Sequence, residues 1–189
     1  MSPLLSYLLL KWQAMALLVA NRKEAALQRF DAMLQLRPGD RYALASRAHV
    51  LMQLGRKADA LATQELVTRH HPELSASWFN FGYMLEEAGQ HERAEAAFRR
   101  ALEIEPKMDR AWYGLALVLI QARRFDEAVA ALKKNTELQP MSPFGWYQLA
   151  RVHVDRHEPE EAVKIIRHLQ GFEPKVAAQL ERETGLRAA

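Results

Sequence analysis

The chain has 189 residues, no cysteine, and 26 basic against 23 acidic side chains for a net charge of +3. No cysteine means no disulfide and no thiolate metal site, and it fits a reducing compartment. The small charge excess is interleaved along the chain, as in Arg99-Arg100 beside Glu95, with no concentrated basic stripe of the kind nucleic-acid binding needs.

Five prolines, Pro38, Pro72, Pro106, Pro140 and Pro174, stand 34 residues apart. A fixed period of that size marks stacked repeats, here residues 7–40, 41–74, 75–108, 109–142 and 143–176. Each repeat reads as two helices joined by a short turn, such as Leu54-Gly55-Arg56 or Ala88-Gly89-Gln90.

The first helix is predicted over Pro3–Val19, with Ser2 as cap. It is one turn longer than the period requires, and Leu4, Leu5, Leu8 and Leu9 lie on the extra length. No basic stretch precedes this apolar run and no cleavage site follows, so it does not read as a signal peptide. As a membrane span it would place Lys11 and Gln13 near mid-membrane, the lysine alone costing roughly 2.5–3.5 kcal/mol. Leu4, Leu5 and Leu8 are expected instead to dock on another molecule: a partner such as a membrane complex, a second copy or a membrane surface.

Further along, Asp40, Ser75, Asp109 and Ser142 read as helix caps, with Pro143 and Pro159 at first helical positions. Each 34-spaced proline is expected to end its repeat's second helix. A capping helix is predicted at about 175–184, stopped by Gly185. The whole chain, 1–189, then forms one quasi-linear domain.

Small residues recur where the two helices of a hairpin must cross closely. They are Ala14, Ala48, Gly82, Ala116 and Ala150 in the first helices, and Ala26, Ala60, Ala94, Ala128 and Ala162 in the second. Larger apolar residues flank them: Leu10, Leu44, Trp78, Trp112 and Trp146 before the first slot, Leu17, Leu51, Leu85 and Leu119 after it. Phe30, Phe98, Leu132 and Ile166 follow the second slot and complete one buried stripe per helix. Five polar residues break the pattern: Gln13, Arg47, Gln64, Asn135 and His153.

The chain resembles the tetratricopeptide repeat family, whose pattern is W-x2-L-G-x2-Y, then A-x3-F, then P. The third repeat carries Trp78, Phe81, Gly82, Leu85, Ala94, Phe98, Ala101 and Pro106; the fourth carries Trp112, Leu115, Ala116, Leu119, Ala128, Leu132 and Pro140. The resemblance spans residues 7–176. It implies an all-α, right-handed solenoid of five helix-turn-helix repeats with a C-terminal capping helix.

Catalytic patterns are absent: no phosphate-binding glycine loop, no HExxH, no nucleophile elbow. His153 and His157 stand four apart, but a third ligand is missing, so no metal and no cofactor are expected. The resemblance implies a non-catalytic, cytoplasmic scaffold or assembly factor that holds an extended or helical segment of a protein partner in a concave groove. The groove slots of the family fall on Tyr42, His49, Phe79, Asn80, Tyr83, Arg110, Tyr113, Phe144, Tyr147 and Arg151, a set rich in the aromatics and arginine that anchor interfaces. The alternative is an accessory subunit of an enzyme or membrane complex, docked through the apolar first helix. The lysine–asparagine set with which some members grip a chaperone's C-terminal carboxylate has only scattered counterparts in Lys11, Asn80 and Arg110, so that role is not expected.

Overall fold

The computed structural model describes residues 2–188, which hold eleven α-helices and no strand. They are α1 Pro3–Val19, α2 Lys23–Leu36, α3 Arg41–Gln53, α4 Lys57–His70, α5 Ser75–Glu87, α6 His91–Ile104, α7 Asp109–Gln121, α8 Phe125–Leu138, α9 Pro143–Asp155, α10 Pro159–Gln170 and α11 Pro174–Thr184. The chain divides into two compact bodies, one up to Leu85 and one from Glu86. In the first, α1 packs on α2, α2 on α3 and α3 on α4. In the second, each helix from α6 to α10 packs on the next, and α11 lies against both α9 and α10. No helix among the described residues is long and apolar enough to cross a membrane.

All ten small slots are buried, and eight of their alanines have no exposed surface. Each lets two backbones close to contact, so the flanking Phe30, Leu44, Leu51, Leu85, Leu119, Leu132 and Ile166 are sealed from water. Truncating such a residue to alanine typically costs 2–5 kcal/mol. The tryptophans add a directional tie: the indole N–H of Trp78, Trp112 and Trp146 donates to the carbonyl of Pro72, Pro106 and Pro140 at 2.8–2.9 Å. Proline removes a donor but keeps its acceptor, and the next repeat's first helix uses that acceptor. In the first repeat a different clamp operates. Tyr7 is buried near the Asp40 carboxylate, and the Arg37 guanidinium lies 4.3 Å over its ring. Burial first, then Asp40, pushes its pKa up to about 12.

The turn within each hairpin repeats as faithfully as the prolines. Asn21, Gly55, Gly89, Arg123 and His157, again 34 apart, all have positive φ, between 55° and 74°. Gly55 shows the reason: its N–H donates to Met52 C=O at 3.0 Å and the Arg56 N–H to Leu51 C=O at 2.9 Å. This double closure requires a left-handed residue after the helix. Non-glycine residues there are strained by about 1–2 kcal/mol, part of which glycine loses again as unfolded-chain entropy. His157→Gly is therefore expected to stabilise the protein by about 0.5–1 kcal/mol in urea unfolding. Arg123→Gly should gain less, because it also removes the guanidinium 5.8 Å from the Phe125 ring.

Four of the five polar interruptions of the stripe are bonded. Gln64 Nε2 donates to Ser77 C=O and Asn135 Nδ2 to Asp109 C=O, each at 2.9 Å. His153 Nδ1 lies 2.6 Å from Glu158 Oε2, which lowers the Glu158 pKa. Arg47 pairs with Asp31 at 2.7 Å and bonds the Thr63 hydroxyl.

Three caps and one proline differ from expectation. Asp40 caps α3, accepting from the Ala43 N–H at 2.8 Å, and Ser2 caps α1. Asp109, however, is the first residue of α7, and buried Met108 holds the cap position. Met108 C=O accepts the Ala111 N–H, so the helix starts one residue early and Asp109 serves as a first-turn charge against the dipole. Ser75 is likewise inside α5, where Leu74 C=O accepts the Ser77 N–H. Ser142 sits at the cap position of α9 without a side-chain bond to it. Pro174 does not end α10, which stops at Gln170; it opens α11, where its fixed φ suits the first turn. Gly185, at φ 72°, ends α11 as expected.

Candidate partner-binding site

On α3, Ala45, His49 and Met52 are spaced i, i+4, i+7, and on α5, Asn80, Tyr83 and Met84 are spaced i, i+3, i+4. These two stripes border the packing faces, with Met52 and Met84 half-buried against the core. Together with Ala48 and Gln64 they line a cavity of about 320 Å³ in the first body. Its walls divide by chemistry. Methionine and alanine give an apolar, adaptable surface, while His49, Asn80 and Tyr83 add polar atoms and no fixed charge. Tyr83 is 51% exposed, a large aromatic surface in contact with solvent. His49 is steadied by Gln53 Nε2, 2.7 Å from its Nε2. Gln64 is nearly buried, and its carboxamide is committed to Ser77.

The cavity thus gathers three of the expected site residues: His49, Asn80 and Tyr83. Tyr42, on the same body, serves the core instead. Its ring meets Phe30 edge-on at 6.2 Å, and the Lys11 ammonium sits 4.4 Å over its other surface. Phe79 is half-buried and does not line the cavity. Met52 and Met84 were missed by sequence reasoning. Their only signal is an apolar residue outside the packing stripe.

The second body carries the other five. Arg110 is exposed and Tyr113 half-buried on α7. Phe144, near the start of α9, is 68% exposed. Tyr147 is engaged by the capping helix: its hydroxyl donates to Glu183 Oε2 at 2.6 Å, which holds the Glu183 carboxyl below the usual range. The Arg151 guanidinium leans 5.8 Å from the Tyr147 ring centre. The capping helix therefore takes the polar end of this patch and leaves Phe144 open. Among the described residues, no group of histidines and carboxylates is placed to hold a metal ion.

Sequence profiles described as tetratricopeptide repeat match residues 13–75, 46–109 and 85–143. The crystal structure of MamA protein is similar with a TM-score of 0.81 at 17% identity, over 95% of this chain and 94% of that one. A tetratricopeptide repeat protein from Parabacteroides merdae gives 0.83 at 19% identity, over 95% and 74%. YrrB, described as a TPR protein with an unusual peptide-binding site, gives 0.78 at 20% identity, over 89% and 88%. At such identities the likeness is one of fold. No curated protein sequence matches the chain.

Proposed function

This chain belongs to the tetratricopeptide repeat family, all-α solenoids whose domains bind protein or peptide partners, and from that premise we propose that it is a non-catalytic scaffold holding an extended or helical segment of a partner protein. One observation carries the reading: the 320 Å³ cavity lined by α3 and α5. Its methionine and alanine walls suit one apolar side chain of the partner. The Asn80 carboxamide and His49 ring at its rim suit the backbone amides on either side of that side chain. An uncharged lining selects neither an acidic nor a basic segment. That YrrB is described as peptide-binding supports a peptide as the kind of ligand. Phe144, 68% exposed, offers a second apolar surface for the same class of ligand.

A photo-crosslinking residue in place of Asn80 tests the proposal in the native cell. Capture of one partner through a single short segment containing an apolar residue is expected. Crosslinks scattered over many proteins, or none above those from the outer-face position Arg100, would refute it.

A further inference from the structure

Seven large apolar side chains of α1 are exposed: Leu4, Leu5, Leu8, Leu9, Trp12, Met15 and Val19. The same helix already has an inner stripe in which Tyr7 and Ala14 are buried and Leu10, Leu17 and Leu18 pack against the core. Its outer face is therefore a second apolar stripe that the repeat does not use. Leu5, Leu8, Trp12, Met15 and Val19 follow one another at spacings of three, four, three and four, the seam of two helices packed side by side. Trp12 and Val19 are 68% and 91% exposed. The seven side chains present on the order of 700 Å² of apolar surface, more than a monomer ordinarily leaves open and close to the roughly 800 Å² per partner of a standard interface.

We propose that this face pairs with the same face of a second copy, the two α1 helices antiparallel about a two-fold axis at Trp12. Trp12 is the midpoint of the stripe, so the pairing sets each Trp12 against the other. Leu5 then faces Val19, Leu9 faces Met15 and Leu8 faces Ala16, a larger side chain opposite a smaller one in two of the four layers. The antiparallel sense also aligns the helix dipoles favourably. An isologous contact of this kind closes after two copies. A lipid surface is the lesser fit. Helices that lie on membranes carry lysine and arginine on their polar face, whereas the one charge of α1, Lys11, is held over the Tyr42 ring.

The chain lacks cysteine, which makes the test direct. Sedimentation equilibrium over the micromolar range is expected to give twice the 21.7 kDa chain mass. Leu8→Glu with Met15→Glu should weaken the dimer at least hundredfold while circular dichroism stays unchanged, since both positions are exposed in the single chain. Trp12→Cys should form an intermolecular disulfide on mild oxidation, and Val19→Cys should not, because the antiparallel pairing holds the two copies of residue 19 at opposite ends. A monomeric parent overturns the proposal, as does a dimer indifferent to the glutamates. Equal crosslinking at both positions overturns the antiparallel arrangement. Binding of a monomer to phosphatidylglycerol vesicles would assign the face to lipid instead.

Discussion

Gly145→Ala is expected to destabilise the protein by about 2–4 kcal/mol, far beyond an ordinary glycine-to-alanine change on a helix, which favours alanine. A Cβ at this position would lie 2.1 Å from Asn135 Oδ1 and 3.0 Å from Thr136 Cγ2. Asn135 is buried, and its amide nitrogen donates to Asp109 C=O at 2.9 Å. Its side chain therefore cannot swing away without breaking the bond that ties α8 to the start of α7. One repeat earlier, the same two positions hold Ala101 and Ala111, both without exposed surface. Glycine at 145 is thus the complement of the larger asparagine at 135. The double variant Asn135→Ala with Gly145→Ala restores the preceding repeat's pair and should be more stable than Gly145→Ala alone. Asn135→Ala by itself should lose stability, because it gives up the hydrogen bond between α8 and α7. Urea midpoints of the four proteins form a double-mutant cycle. A Gly145→Ala midpoint within error of the parent would mean that the α8–α9 junction is looser than its geometry.

The Asn135–Gly145 pair shows where the sequence is readable. The small slots announce themselves because backbone contact leaves no tolerance at Ala94 or Ala128, and the period repeats that constraint five times. Asn135 and Gln64 stand out only as exceptions; each answers a backbone carbonyl from a neighbouring helix, and a one-dimensional pattern does not show which carbonyls come within reach. The hairpin turns are half legible. Gly55 and Gly89 declare a left-handed residue, while Asn21, Arg123 and His157 adopt it only because the double closure of the turn imposes it. Ser75, Asp109 and Ser142 look like caps because their residue types favour that role, yet the starts of α5 and α7 shift by one residue, at α7 because buried Met108 sets the boundary. Ser142 holds its cap position without a side-chain bond. The candidate site is the least legible part. Slot mapping brings out His49, Asn80 and Tyr83, but a cavity depends on the spacing between helices. Met52 and Met84 gain their role only from that spacing. The same mapping includes Tyr42 and Tyr147, whose surfaces are taken by Phe30 and Lys11 and by Glu183.

Tyr83→Ala is expected to weaken the captured partner's affinity about thirtyfold, the equivalent of about 2 kcal/mol for truncating an anchor. Tyr83 combines a wide exposed ring with a place on the cavity wall, so a partner side chain seated among Met52, Met84 and Ala45 would bury part of that ring. Tyrosine loses little conformational entropy on ordering, which favours it as an anchor. Tyr147→Ala is expected to act differently: its hydroxyl already bonds Glu183, so its loss should loosen α11 and lower the unfolding midpoint more than it lowers affinity. The outer-face variant Arg123→Ala with Arg124→Ala removes Arg124's ion pairs with Glu95 and Glu127 at 2.7 Å. Exposed pairs of that kind contribute little, and affinity should stay within twofold of the parent. Titration calorimetry with the captured segment compares the three variants with the parent. Loss of binding in the arginine variant with retention in Tyr83→Ala would move the ligand to the surface around Arg123 and Arg124 and remove the cavity from the proposed function.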